Sequence, residues 1–184
     1  MKTLNSVDLN EVNDTSKQIL SAVKDSIGMI PNLYTAMGSS DKLLSGFLEF
    51  TNTLKSGEFT QKEYEVIALA TSQANACNYC LSAHTTLAKM NGFSEDETLD
   101  IRSKSIGDTK LNALTTLAFE MSATKGHPSE IATNNFFDAG YNRAAFAELI
   151  GIMALTTITN YVYHNGQFAI DFPKAQQLKE HIEI

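Results

Sequence analysis

The sequence contains no tryptophan, three prolines, ten glycines and two cysteines in 184 residues. So few turn-forming residues exclude an all-β architecture built from many short strands. Two cysteines, with no apolar leader in MKTLNSVDLNEVNDTSK, exclude a secreted disulfide scaffold and a signal peptide. No basic tract is present and the formal net charge is −7, so a nucleic acid is not expected as a partner. Long apolar runs are also missing. The most apolar stretch, Leu149 to Ile158, is too short to span a bilayer and carries two threonines, so no membrane partner is expected and the default location is the cytoplasm. What is present is core-forming material: 43% hydrophobic residues, ten Phe and six Tyr. That excludes disorder over most of the chain. The length fits a single domain over 1–184, with residues 1–12 and the charged tail 175–184 free to move or to dock on a partner.

The signals along the chain are helical. Thr60 with Glu63 reads as a capping box, and Phe59 with Tyr64 as the matching hydrophobic staple of a helix running to about Ser72. Ser94 with Glu97 is a second capping box. Asp108 precedes the periodic run Leu111, Leu114, Leu117, Ala118, Met121, one face of a helix. Asn142 caps a long apolar helix from Arg143 to about Tyr163, and Gly92 and Gly140 stand where C-terminal caps belong. Further helices are predicted at about 15–26, 32–37 and 41–55, the first two separated by Pro31. With no alternating strand pattern, the expected fold is an all-α bundle, single-domain and about two-thirds helical, its helices joined by short loops.

Both cysteines lie in one segment, Glu65-Val-Ile-Ala-Leu-Ala-Thr-Ser-Gln-Ala-Asn-Ala-Cys77-Asn-Tyr-Cys80-Leu-Ser-Ala-His84. Asn75 is predicted as the N-cap of a new helix that carries Cys77, Cys80 and His84. At about 100° per residue, Cys80 then lies about 60° and His84 about 20° from Cys77, on one face. A helix N-terminus stabilises a thiolate, and a histidine one turn further can accept or return a proton. Glu65 can join them only if the chain turns near Asn75 and two helices pack side by side; it could then relay protons. A redox dithiol is the favoured reading. A catalytic zinc site of two cysteines and one histidine, and two core cysteines with no chemistry, are the alternatives. No closed metal site and no cofactor site is expected.

The other chemistry-bearing residues read as structural. His164 sits near the end of the long apolar helix, where an imidazolium is favourable, and the competing reading has it face a pocket or an assembly interface. His127, before Pro128, and His181, in the tail, read as structural or solvated. Met29, Met37 and Met153 read as core fillers, and Phe136-Phe137 as core or interface. Asn78 has no assigned chemistry.

The pattern Glu-x11-Cys-x2-Cys-x3-His resembles the core motif of the AhpD-like alkylhydroperoxidases, a branch of the carboxymuconolactone decarboxylase family. Beyond the motif, "VIALATSQANACNYCLSAHTTLAKMNGFSEDE" and "FFDAGYNRAAFAELIGIMALTTITNYVYHNGQFAIDFPKA" are similar to that family, so the likeness covers about residues 25–175. It implies an all-helical bundle and assembly into a homo-oligomer through helical faces. It also implies a cytosolic peroxidase-type oxidoreductase. Cys80 would attack the hydroperoxide, Cys77 would resolve the sulfenic acid into a disulfide, Glu65 and His84 would relay protons, and a dithiol or protein reductant would restore the thiols. One position departs from the best-studied hydroperoxidases: Tyr79 stands where they carry a histidine, and a phenol is no base near neutral pH. The lactone decarboxylases of the family generally lack the cysteine pair. The remaining alternatives are a lactone enzyme using Glu65 and His84, and an oligomeric binding protein without redox chemistry.

Overall fold

The computed structural model describes Leu4 and residues 8–178. Among these residues there is no strand. The helices are α1 (Asp14–Ile27), α2 (Asn32–Met37), α3 (Asp41–Leu54), α4 (Gln61–Ala74), α5 (Asn78–Met90), α6 (Glu95–Ser103), α7 (Thr109–Ala123), α8 (Glu130–Asp138) and α9 (Arg143–Gly166). Both capping boxes form, with each cap hydroxyl accepting an N–H and each glutamate returning to the cap backbone. Gly92 and Gly140 follow helix ends with φ of 92° and 94°, a region open to glycine at no steric cost.

The core is built around α4, which buries a continuous run from Glu63 to Ser72. It packs against α5, α6, α7 and α9. The long helix α9 also touches α2, α3, α5 and α7. Within its 24 residues an 18-residue window has a mean hydropathy of 1.4, so by length and composition alone this helix could cross a bilayer. That exceeds the shorter run expected from Leu149 to Ile158, because the helix extends through Thr159, Asn160 and Tyr163 to Gly166. Its contacts make it a core helix: Leu149, Ile152 and Leu155 are buried in the bundle. Of the predicted fillers, Met37 and Met153 are buried and Met29 is half-buried. Phe136 is in the core, whereas Phe137 faces outward against Phe146.

After α9 the chain doubles back over α5. Phe168 and Phe172 pack on the Tyr79 ring, Ala175 N–H donates to Ser82 Oγ at 3.1 Å, and Arg102 Nη1 donates to the Gln176 carbonyl at 2.6 Å. At the other end Leu4 N–H donates to the Asn165 carbonyl at 3.3 Å, and Val12 is buried. The described parts of both terminal segments therefore dock on their own bundle. His181 and the rest of 179–184 lie outside the described residues, as do 1–3 and 5–7.

Candidate active site

The site begins at the turn between α4 and α5, and its caps differ from the expected ones. Asn75 is not the N-cap of α5 but the C-cap of α4. The next residue, Ala76, is left-handed with φ 53°. Ala76 N–H donates to the Gln73 carbonyl at 3.1 Å and Cys77 N–H to the Ser72 carbonyl at 3.0 Å. This is the paired bonding of a Schellman motif, with alanine in the position that glycine usually takes. Cys77 then serves as the N-cap of α5, in extended geometry, and its Sγ accepts the Cys80 N–H at 3.3 Å. The two sulfurs do not sit on one face of a helix, because Cys77 precedes the helix. They occupy the N-cap and N3 positions, which face each other across the first turn.

In that register Cys77 and Cys80 form a disulfide, with Cα atoms 5.3 Å apart. The separation is within the ordinary bridging range. Both sulfurs are sequestered: Cys77 is 0% and Cys80 2% exposed. Thr159 of α9 approaches from the side, its Oγ1 3.7 Å from Cys80 Sγ.

The same turn reverses the chain, so α5 packs back along α4. Glu65, one helix earlier, thereby meets His84, one helical turn beyond Cys80. Glu65 Oε2 and His84 Nδ1 are 2.7 Å apart. The glutamate side chain is 6% exposed and the histidine 17%, so His84 is the member of the pair that reaches solvent. With Glu65 ionised, Nδ1 carries the proton and Nε2 is left as an acceptor. Asn160 of α9 is fully buried and clamps the turn: its Oδ1 accepts from Asn75 Nδ2 at 2.8 Å, and its Nδ2 donates to Ser72 Oγ at 3.3 Å.

All four residues chosen from the sequence are therefore in one place: Cys77 bonded to Cys80, and Glu65 paired with His84 one turn along. Among the described residues, no group of three or more His, Cys, Asp and Glu side chains is arranged to hold a metal ion. His164 is exposed in the last turn of α9, and His127 is exposed before α8.

Comparison with known proteins adds a family and a fold. Residues 41–105, which contain the whole motif, match the sequence profile of the carboxymuconolactone decarboxylase family. No curated protein matches the chain. Among solved structures, a peroxidase-related protein from Ralstonia eutropha JMP134, described as an alkylhydroperoxidase AhpD core, superposes with a TM-score of 0.79 at 19% identity over 90% of each chain. A peroxidase-related protein from Silicibacter sp. TM1040 gives 0.76 at 20% identity over 97% of each chain. A cysteine-to-alanine variant of the debrominase Bmp8, in complex with 2,3,4-tribromopyrrole, gives 0.77 at 16% identity, covering 93% of this chain and 92% of that one. The chain has the AhpD-like fold and carries a carboxymuconolactone decarboxylase family segment. On this AhpD-like scaffold the motif lies at the helical hairpin α4–α5, whose first helix is buried from Glu63 to Ser72.

Tyr79 is 1% exposed, packed against Tyr163, Phe168 and Phe172. Burial pushes its phenol further up from the ordinary tyrosine value, and the Asp171 carboxylate adds to the shift. It does not take over a base's role. Three contributors to the site were not expected from the sequence: Thr159, Asn160 and Ser72. The available signal was the polar run Thr156-Thr157-Ile158-Thr159-Asn160 inside an otherwise apolar helix. Polar residues on a buried face need partners, and here the partners are the α4–α5 turn and Cys80.

Proposed function

We propose that the protein is a cytosolic thiol-dependent peroxidase, cycling the Cys77–Cys80 pair between dithiol and disulfide. The observation that carries this reading is the N-cap-to-N3 disulfide one helical turn from the Glu65–His84 pair. The reaction begins with the dithiol. The Cys80 thiol gives its proton to His84 Nε2, the thiolate attacks one oxygen of a hydroperoxide, the O–O bond breaks, and the other oxygen leaves as an alcohol or water after taking that proton from His84. Cys77 then attacks the sulfenic acid sulfur, water leaves, and the disulfide forms. A dithiol or protein reductant returns both thiols. Cys77 suits the leaving role in that reduction. As N-cap it is released as a thiolate already facing the Cys80 N–H and the positive end of α5.

Hydrogen peroxide and an organic hydroperoxide, supplied with excess dithiothreitol, test the proposal. Consumption should require both cysteines. With the dithiothreitol removed before peroxide is added, one sulfenic acid per chain should be trapped in Cys77→Ser, and none in Cys80→Ser. His84→Ala and Glu65→Gln should slow turnover by about 10²–10⁴-fold, the ordinary range for positioned acid–base assistance. Loss of sulfenic acid in Cys77→Ser with retention in Cys80→Ser would exchange the two roles. The likeness to Bmp8 supports a second reading, reductive debromination of a brominated pyrrole by the same dithiol. Bromide release from a brominated pyrrole, with no peroxide consumption, would favour it.

A further inference from the structure

The sulfur of Cys80 is buried, and burial alone disfavours a thiolate. Cys77 has a backbone donor, the Cys80 N–H. Among the described residues the hydrogen-bonding group found at the Cys80 sulfur is a hydroxyl, Thr159 Oγ1, at 3.7 Å. That hydroxyl now donates to the Thr156 carbonyl at 2.7 Å, one turn back along α9. A sulfur in a disulfide is a weak acceptor, so the carbonyl is the better partner in the oxidised state. A thiolate reverses the order, since a hydrogen bond to a charged acceptor is about twice as strong as one between neutral groups. The Thr156 carbonyl lies within the helix and keeps its backbone partner when the hydroxyl turns away.

We propose that Thr159 is a redox-switched donor, its hydroxyl bonding the Thr156 carbonyl in the disulfide and the Cys80 sulfur in the thiolate. This rests on the dithiol reading above and adds to it a residue outside the motif. The electron flow fixes when the switch operates. A reductant thiolate attacks Cys80 Sγ, the S–S bond breaks, and the electron pair leaves on Cys77. The reductant's second thiol attacks its own sulfur in the mixed disulfide and expels Cys80 as a thiolate, so the reductant is oxidised to its disulfide and the protein gains two electrons. At that point the Thr159 hydroxyl turns about its Cβ–Oγ1 bond and no proton is transferred from it. Titratable groups on the elements packed around the pair are Glu65 of α4 and His84 of α5, bonded to each other, and Asp171 of the C-terminal segment, bonded to the Tyr79 phenol. The α9 residues at the cysteine turn, Thr156, Thr159 and Asn160, are neutral, so Thr159 acts on Cys80 through its hydroxyl dipole.

The measurement is the pH profile of iodoacetamide alkylation of Cys80, made in a Cys77→Ser background so that one thiol reports. Thr159→Val keeps the shape and removes the donor, and it should move the profile up by about one to two pH units. Thr159→Ser restores the donor and should bring the profile back. Thr159→Ala against Thr159→Ser gives the same comparison if the valine variant does not fold. A merely structural threonine would change thermal stability and leave the profile in place, and superimposable profiles for the Val, Ala and Ser variants would overturn the assignment. Peroxide consumption is read separately. Its absence in the wild type, with the alkylation shift present, would remove the peroxidase reading and leave the Thr159 switch standing.

Discussion

Tyr79 stands between the two cysteines, and its hydroxyl works on a different helix. α2 begins after Pro31, which offers no side-chain cap. Its first two free N–H groups are satisfied from elsewhere: Asn32 N–H by Asp171 Oδ2 at 2.7 Å, and Leu33 N–H by the Tyr79 hydroxyl at 3.3 Å. A residue of the cysteine motif and a residue of the C-terminal segment thus cap α2 together, and the Tyr79 ring holds Phe168 and Phe172 in place. Replacing the phenol by a phenyl ring should leave Leu33 N–H without an acceptor while keeping the aromatic packing. Tyr79→Phe is therefore expected to lower stability by about 1–2 kcal/mol, the cost of a lost cap or of one unmet buried donor. Urea denaturation reads the loss, and the pH profile of thiol alkylation should not move. A shifted profile would show that the phenol acts on the sulfurs after all. The chemical half of this residue was legible, since a phenol's pKa excludes base catalysis at neutral pH. Its capping role was not, because the partners are 46 residues away at Leu33 and, through Asp171 and Asn32, 139 residues apart.

Where an element's ends are set by neighbouring residues, the sequence was a good guide, and α4 illustrates both the reach and the limit of that. Thr60 and Glu63 specify its start, because both halves of a capping box lie within four residues. Its end was misplaced by two residues and its cap assigned to the wrong helix. Asn75 looks like an N-cap, but the chain spends one left-handed residue at Ala76, and a cysteine takes the capping position. Neither alanine at a left-handed C′ nor sulfur at an N-cap is a frequent choice, so local statistics point elsewhere. The partners of Glu63 were equally out of reach: Tyr141 hydroxyl donates to Oε1 at 2.9 Å and Lys110 Nζ lies 3.1 Å from it. Burial works against the charge of Glu63, but Thr60, Tyr141 and Lys110 outweigh it and hold the carboxyl below its ordinary value. With the folded-state value depressed, the unfolded chain takes up the proton first as pH falls. The contribution is thus complete above the ordinary carboxylate value of about 4.3 and is lost as pH drops through the folded value. Glu63→Gln should cost about 1–3 kcal/mol at pH 7, and the gap from wild type should close below about pH 4. Denaturation curves of both proteins across that range check it; a gap independent of pH would mean that the loss is steric.

At the scale of the molecule, the outer face of α9 stands apart from the core that the rest of the helix builds. The sequence reads as apolar around most of this helix, which left open a central position or a shared one. The fold accounts for one side: Leu149, Ile152 and Leu155 point into the bundle. On the other side Ile150 is 49% and Tyr161 60% exposed, with Ala154 exposed between them. At about 100° per residue these three fall within about 40° of one another, a stripe about 16 Å long. Phe50 of α3, itself 43% exposed, lies beside it: a Cβ at Gly151 would meet the Phe50 ring at 3.3 Å. Scattered apolar side chains on a surface need no explanation, but an aligned stripe with an aromatic at each side is the kind of patch that marks an interface. The occupant expected here is a second copy of the chain. Light scattering at micromolar concentration should give a multiple of 20.2 kDa. Ile150→Lys with Tyr161→Lys places two charges on the stripe without touching the core, and should give the single-chain mass with unchanged helical circular dichroism. Because the inner face of the same helix carries Thr159 and Asn160 against the cysteine turn, the variant also asks whether assembly supports the site. If so, the monomer should show a shifted alkylation profile for Cys80; if not, it should keep the wild-type profile. A wild-type particle of single-chain mass would show that the stripe is not a self-interface.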